Sequence, residues 1–267
     1  MEAVDALSPY RRRYLAAIRR KERFISVMRY LICILLLLLW EGAARIGLID
    51  PFITSSPCRV AATIGRLFSA GDLFLHIGTT LFETVAGFLL GTLLGTLLAA
   101  LLWWSDTLCK ILDPYLVVLN ALPKIALGPI LIVWLGAGMG SIIVMAVLIS
   151  LVCTTVTVLT GFLESTTEKQ LLMHTLGASK GQIFRLVVLP ASVPVLIAAL
   201  KISVSMSWVG VIVGEYLVSK AGLGFLIVYG GQVFQLDLVM ASIVLLCILA
   251  AVMYYGVAYA EKRLVRS

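Results

Sequence analysis

The sequence predicts an all-α polytopic membrane protein with about six transmembrane helices and a further short helix in a cytoplasmic loop. Of its 267 residues, 61% are hydrophobic and only 13% are charged, whereas a soluble domain carries about 25% charged residues. The mean hydropathy is +1.07. Apolar runs long enough for a bilayer crossing, which takes about 20 residues in a helix, recur along the chain.

The chain begins with a basic N-terminal arm, residues 1–23, and we assign residues 24–267 to the transmembrane domain. The first apolar run, residues 25–44, follows the arm directly, as a signal peptide would. The run is long for a signal peptide, and no clear small-residue cleavage site follows it, so we interpret it as a span. The arm is a topogenic signal by default, and binding to anionic lipid headgroups is the alternative.

Five further spans follow in order: one within residues 76–104, then about 111–135, about 141–163, one within 186–218, and about 238–260. Glycines every four residues in the second span (Gly87, Gly91 and Gly95) predict close approach of another helix. Three prolines interrupt the third span. Residues 49–73 are too polar to cross the bilayer, and we expect an outer loop with a short helix there.

Lysine and arginine set the orientation. Residues 1–30 hold eight of them, and the segments 105–112 and 164–186 and the C-terminal tail hold more than the opposite loops do. Basic loops favour the cytoplasm, so both termini are expected there. This bias accounts for the net charge of +7, and no nucleic-acid partner is expected. The five cysteines form no CxxC pair and are expected to pack as small apolar side chains.

The longest internal cytoplasmic loop is residues 164–186. Apolar residues at helical spacing, Leu171, Leu172 and Leu176, predict a short amphipathic helix, and Gly177 then permits a turn. Two interpretations remain open from the residues alone. The helix either joins two spans at the membrane surface, or it docks onto a cytoplasmic partner that moves it.

The stretch "LGASKGQIFRLVVLPASVP" resembles the cytoplasmic loop of binding-protein-dependent ABC importer permeases, in which a Glu-Ala-Ala triplet is followed by a glycine and later by a Leu-Pro pair. Gly177, Val187, Leu189 and Pro190 match that pattern. The segments 112–138 and 213–227 are similar to the nitrate/sulfonate/taurine-type permeases. The resemblance extends from about Trp40 to the C-terminus.

The resemblance implies a type I ABC importer permease fold in the bacterial plasma membrane. Its implied partners are two ABC ATPase subunits, a second permease copy (a homodimer is expected), an extracytoplasmic substrate-binding protein and membrane lipid. The chain has no GxxxxGK[ST] phosphate-binding motif, so ATP and Mg are expected on the partner ATPase, and no enzyme activity or bound cofactor on this chain. The implied solute is a sulfonate, taurine or nitrate, or a vitamin or pyrimidine precursor.

The resemblance places the ATPase-coupling surface in the same loop. The residues expected to form it are Leu171, Leu172, Met173, His174, Leu176, Gly177 and Ala178. Residues 171–173 are Leu-Leu-Met, so the glutamate of the family triplet is absent and its contacts must be replaced or lost.

Charged residues inside predicted spans are the candidates for the solute pathway, because such charges are costly and usually face a cavity or a partner. The expected pathway residues are Glu83, Asn120, Lys124, Ser207, Trp208 and Glu215. Lys124 lies between two prolines, where a broken helix exposes backbone groups. Lys201 and Glu215 are about 21 Å apart along one straight helix, so each needs another partner. Structural ion pairs, snorkelling and packing are the alternatives for these residues.

Two other classes of protein compete with an importer permease. A self-contained secondary transporter often carries inverted repeats, and we find none. An intramembrane enzyme needs a paired nucleophile and base or a metal motif such as HExxH, and neither occurs. His76 and His174 lack spaced partners for a metal ion, so no metal site is predicted.

Overall fold

The computed structural model describes residues 9–164 and 167–264, and over these ranges the chain is helical with no β-strand. Within the described residues, twelve α-helices follow one another: α1 (Pro9–Arg45), α2 (Pro51–Thr54), α3 (Pro57–Ala70), α4 (Asp72–Trp104), α5 (Asp106–Ala121), α6 (Gly128–Leu135), α7 (Met139–Glu164), α8 (Thr167–Thr175), α9 (Lys180–Ile183), α10 (Leu189–Val218), α11 (Leu223–Gln232) and α12 (Leu236–Leu264).

The chain divides into two compact units, residues 1–63 and 64–267. In the first unit, α1 runs without a break from the basic arm into the first apolar run. Glu41, near the end of α1, accepts a hydrogen bond from Arg45 at 2.8 Å and from the backbone N–H of Cys58 at 3.1 Å, which ties the end of α1 to the start of α3. The assignment of 1–23 as a separate arm stays a prediction.

The prediction of about six spans is confirmed. In the part of the chain that the structure describes, five helical stretches are long and apolar enough to cross a membrane: Arg20–Arg45, Asp72–Trp104, Met139–Glu164, Lys180–Val218 and Leu236–Glu261. A sixth candidate is the pair Asp106–Ala121 and Lys124–Leu135, which is bent by 87° at the break between its halves. Two short helices, α2 and α3, occupy the polar segment between the first two spans, where the sequence predicts one.

Proline chemistry explains the break in the third span. Leu122 is extended (φ −63°, ψ 135°), the conformation that a following proline imposes by steric contact. After Pro123 the chain makes one 3₁₀ turn, Lys124–Leu127, and α6 then begins with Pro129 in its first turn, where a missing N–H costs least. Pro114 lies inside α5 without ending it.

Helix α7 lies at the centre of the second unit and packs mainly against α4 and α10. The glycine face of α4 contacts it as predicted: Cβ atoms added at Gly87 and Gly95 would meet Ala146 and Thr154 at 2.6 Å and 2.9 Å. On α10, a Cβ at Gly210 would meet the Ala146 backbone at 2.5 Å. Small residues therefore let three helix backbones approach closely, the usual basis of packing in lipid.

Polar side chains add hydrogen bonds between the same helices. Thr92 of α4 pairs with Ser203 of α10 at 2.7 Å, and Ser192 of α10 donates to the Gly161 carbonyl of α7 at 3.0 Å. Beyond this core, α11 and α12 pack on α10 through an apolar cluster of Val204, Trp208, Leu223, Leu226, Leu238 and Leu246. The fold thus fixes α4, α7 and α10 as one block.

Candidate functional site

The break in the third span brings two of the predicted pathway residues together. Lys124 Nζ donates to the backbone oxygen of Asn120 at 3.2 Å and to its side-chain Oδ1 at 3.3 Å. A lysine at this position satisfies a carbonyl that the end of α5 leaves unpaired. The Asn120 side chain is exposed and Lys124 is partly exposed, and their place on a solute pathway stays a prediction.

A groove of about 300 Å³ lies beside Asn120, between α5 and α7. Its wall is mostly apolar, with three polar side chains, and is formed by Asp113, Leu116, Val117, Asn120, Ala121, Val156, Leu159, Thr160 and Leu163. A concave apolar surface with a few convergent polar groups is the usual form of a small-molecule site.

The loop 164–186 contains the predicted short helix, α8. Helix α8 ends at Thr175, and Thr166 lies outside the described residues. Gly177 then takes a left-handed conformation (φ +79°), and Ala178 N–H donates to the Met173 carbonyl at 3.0 Å. This pattern closes a helix end with glycine because an added Cβ would be strained there.

A new helix, α9, begins directly after this turn and has its own N-terminal cap. Ser179 N–H donates to Gln182 Oε1 at 2.8 Å, and Gln182 N–H donates to Ser179 Oγ at 3.4 Å, which is the reciprocal capping box of a helix start. The capped turn α9 continues through a wide π-helical segment, Phe184–Val188, into α10. Since Pro190 has no N–H to donate, regular helical hydrogen bonding cannot continue through this point.

One face of this loop packs against the core of the protein, and the other face is exposed. Met173 and Ala178 pack against the core cluster that contains Trp103 and Phe162. Leu171, Leu172 and Leu176 are 67%, 59% and 73% exposed. His174 is also exposed. The predicted coupling residues thus divide into an inward-facing set and a leucine-rich outward surface.

Contacts at the ends of α4 and α7 hold this loop. The Phe184 ring lies 4.9 Å from that of Trp103 and 5.4 Å from that of Phe162. Lys180 Nζ lies 3.7 Å from an Asp106 oxygen and 5.5 Å from the Trp103 ring centroid. A groove of about 470 Å³ opens beside these contacts, lined by Trp103, Asp106, Leu163, Gln170, Leu171, His174, Lys180 and Ile183.

The other four predicted pathway residues are buried inside the helix block. Glu83 and Glu215 are each 1% exposed, and Ser207 and Trp208 are also buried. Neither Ser207 Oγ nor Trp208 Nε1 has a hydrogen-bond partner among the described residues. In this conformation the four side chains face protein, so their place on a solute pathway stays a prediction.

The two charges on the fifth span have separate partners, as their spacing predicts. Lys201 Nζ forms an ion pair with Glu261 of α12 at 2.6 Å. Glu215 Oε1 accepts from the Thr80 hydroxyl of α4 at 2.6 Å, and its Oε2 accepts from the Gly224 N–H of α11 at 2.5 Å. Glu215 therefore joins three helices.

Sequence reasoning missed the polar residues around Glu215. Thr80 Oγ1 accepts from Leu223 N–H at 2.8 Å, and His76 Nδ1 accepts from Gly222 N–H at 3.0 Å. A signal for them was present, because polar residues continue the glycine face of α4 at the same helical spacing. Those residues, all buried, are His76, Thr80 and Thr84, together with Glu83, which the sequence had already singled out.

The spans, the broken helix and the capped loop define a polytopic α-helical membrane transport subunit. Residues 91–266 match the family of binding-protein-dependent transport system inner membrane components. The chain belongs to this family and is a permease subunit of an ABC importer.

Two relatives agree with this assignment, and one solved structure has a similar fold. A probable ABC transporter permease of Haemophilus influenzae is 34% identical over 87% of this chain and 94% of its own length. The riboflavin transport system permease RibX of Chloroflexus aurantiacus is 30% identical over 87% of each chain. The fold is similar to an inward-facing MetNI methionine ABC transporter structure, with a TM-score of 0.61 and 23% identity over 72% of this chain and 93% of that one.

Proposed function

We propose that this chain moves a small solute from an extracytoplasmic binding protein into the cytoplasm, driven by an ABC ATPase pair that docks on α8. Both termini and the loop 164–186 then lie in the cytoplasm, and two copies of the chain form the permease pair. ATP and Mg bind to the partner ATPase, and the permease itself binds no cofactor.

The observation that carries this proposal is the two-sided build of the loop. Leu171, Leu172 and Leu176 are exposed, while Met173 and Ala178 are packed on the ends of the core helices. Leucines exposed on a surface outside the membrane have no lipid to cover them, and such patches mark interaction sites. The three leucines also account for the missing family glutamate, because an apolar surface replaces a charged contact.

The solute pathway in this proposal runs past the broken third span. Asn120 and Lys124 offer an amide and a cation beside a mostly apolar groove. A cation there favours a solute with an anionic group, such as a sulfonate, taurine or nitrate. A vitamin or pyrimidine precursor is the second candidate, favoured by the riboflavin system named for the Chloroflexus relative.

Copurification tests the docking surface directly. The tagged chain, extracted from its native membrane in mild detergent, should bring down an ABC ATPase, recognised by its phosphate-binding motif, in about equal amount. Leu176→Asp should abolish capture, because a carboxylate would have to be desolvated in the contact. Leu48→Asp is the matched control, since Leu48 is 76% exposed and lies outside the loop.

Two outcomes would contradict the proposal. The first is that no ATPase accompanies the chain, which would favour a self-contained transporter. The second is that labelling of single cysteines places residues 167–185 on the extracytoplasmic side, because an ATPase could not then reach α8.

The turn at Gly177 tests coupling apart from docking. Gly177→Val should reduce stimulation of the ATPase, because a β-branched residue is strained at φ +79°. Gly177→Asn should retain it, since asparagine tolerates the left-handed region. A Cβ at this position meets nothing within 4 Å, so the two variants differ in backbone strain and not in collisions. Equal stimulation in wild type and Gly177→Val would refute this role of the turn.

A further inference from the structure

We propose that the exposed face of α12 binds one anionic phospholipid, whose phosphate is held by Arg263 and whose acyl chain lies along Val252 and Ile248. Helix α12 belongs to the second unit, and its residues Leu236–Glu261 are one of the candidate spans. The proposal concerns this chain alone and does not depend on the identity of the solute or on an ATPase.

The two faces of α12 have different surroundings. One face packs into the helix block, where Leu238 and Leu246 are buried in the cluster around Trp208. The other face carries exposed side chains at intervals of three or four residues, the spacing that keeps residues on one side of a helix. The four uncharged ones are between 53% and 71% exposed. From the middle of the helix to its end, this exposed stripe consists of Ile248, Val252, Tyr255, Tyr259 and Arg263.

The order of side chains along the exposed stripe matches the layers of one bilayer leaflet. Two aliphatic side chains come first, two tyrosines follow, and a cation stands at the end. Aliphatic groups contact acyl chains, tyrosine rings favour the membrane–water interface, and headgroup phosphates attract arginine. The helix rises by about 22 Å from Ile248 to Arg263, which is the depth of one leaflet when a bilayer is about 40–45 Å thick with its headgroups.

Arg263 is held in a fixed orientation by the tyrosine one turn before it. Its Nη2 and Nε atoms donate to the Tyr259 hydroxyl at 2.8 Å and 3.2 Å, and its guanidinium carbon lies 5.1 Å from the centroid of the Tyr259 ring. The neighbouring acid, Glu261, is paired with Lys201 of α10 at 2.6 Å, so it does not neutralise Arg263. A guanidinium has five N–H donors, and those that Tyr259 leaves free can bind two oxygens of one phosphate.

Two small residues leave room for a lipid beside the tyrosines. Gly256 is exposed, and a Cβ built on it would meet nothing within 4 Å. Ala260, one turn further on, is exposed as well. Small side chains therefore alternate with the rings of Tyr255 and Tyr259 on the way to Arg263. The glycerol part of a lipid can lie against this surface in contact with the rings.

The polar groups of the stripe favour a lipid over a second copy of the chain as the occupant. In a contact between two copies, the two tyrosine hydroxyls and the guanidinium would each need a partner in the other protein, because burying them without one is costly. In a bilayer the same groups lie at the level of headgroup oxygens, which accept hydrogen bonds. A negative headgroup is favoured because cations outnumber acids at the end of the chain, with Lys262, Arg263 and Arg266 against Glu261.

Photocrosslinking with competition tests the site. The full chain in mild detergent receives phosphatidylglycerol with a photoreactive acyl chain, and mass spectrometry quantifies the adducts on residues 248–259. Unlabelled phosphatidylglycerol should displace the adduct at a concentration about fivefold lower than phosphatidylcholine needs, which is the effect of one cation on an anionic lipid. Arg263→Gln should bring the two concentrations together, and Arg263→Lys should keep them apart because the charge remains.

Arg20→Gln is the matched control. It removes the same charge from an exposed position at the end of another span, so the preference for phosphatidylglycerol on residues 248–259 should survive. Equal displacement by the two lipids in wild type would overturn the proposal, because the stripe would then hold only ordinary surface lipid. Two other results would also overturn it: an unchanged preference in Arg263→Gln, or crosslinks between two copies through residues 248–259 in place of lipid adducts.

Discussion

Replacing Gly210 with alanine tests the packing of the core block most sharply. The new Cβ would lie 2.5 Å from the Cα of Ala146 and 3.0 Å from its backbone nitrogen. An ordinary contact begins at 3.4 Å, so the α7 backbone has to retreat by about 0.9 Å or the two helices separate. Retreat is blocked on the far side, because Ala146 is fully buried and its methyl group already lies against Gly87 of α4.

The expected magnitude follows from this geometry. Overpacking of a well-packed core costs about 1–3 kcal/mol. In a domain of 150–250 residues each kcal/mol lowers Tm by about 2–4 °C, so Gly210→Ala should lower Tm by roughly 2–12 °C. Gly87→Ala should cost less, since its Cβ meets a methyl group at 2.6 Å and stays 3.8 Å from the Ala146 backbone.

Thermal unfolding of the purified chain in one detergent measures the series. Gly78→Ala is the control, because it lies in α4 with nothing within 4 Å of its Cβ, and alanine is favoured over glycine inside a helix by roughly 0.5–1 kcal/mol. The expected order of Tm is Gly78→Ala at or above wild type, then Gly87→Ala, then Gly210→Ala. A Gly210→Ala protein that melts with the control would show that α7 does not pass between α4 and α10 as described.

Two further predictions concern the lysines. A binding screen on the extracytoplasmic binding protein first identifies the solute. Lys124→Ala should then impair uptake of that solute and leave assembly of the complex intact, because Lys124 binds Asn120 at the broken span and supplies a cation. Lys124→Arg keeps the charge and is the control, and unchanged uptake by Lys124→Ala would show that Lys124 is not on the pathway. Lys201→Glu and Glu261→Lys should each lower Tm, and the double exchange should recover part of that loss, because the 2.6 Å pair joins α10 to α12. If the decrease in Tm of the double variant equals the sum of the decreases in the two single variants, the ion pair makes no contribution of its own.

The helices could be predicted from the sequence because lipid imposes a simple rule: a crossing needs about 20 apolar residues. The bend in the third span was also within reach, since Pro123 must interrupt backbone hydrogen bonding. The size of the bend, 87°, could not be predicted, because the angle depends on what α5 and α6 contact. No pattern of residue types encodes it. The glycine face of α4 predicted that another helix packs closely against it, but the sequence does not identify that helix as α7.

The candidate site was predictable only in part, for a related reason. A charge inside a span signals function or structure equally well, and only the fold shows which groups meet it. Lys124 pairs four residues back along the chain with Asn120, a local contact that sequence can suggest. Glu215 meets Thr80, which is 135 residues away, and one sequence contains no record of such a pairing.

The contacts at both ends of the core block indicate how a movement of the loop 167–185 would reach the opposite end of the bundle. Phe184 ties the loop to Trp103 at the end of α4 and to Phe162 near the end of α7. The close contacts around Ala146 leave these helices and α10 little freedom to slide past one another, since packed helix backbones resist small displacements. A displacement of α8 is therefore expected to rotate α4, α7 and α10 together and, through Glu215 and Thr80, to carry α11 with them. The third span has its own break at Pro123, so we infer that it flexes while the block turns, and the groove beside Asn120 changes shape between the moving and the flexing part.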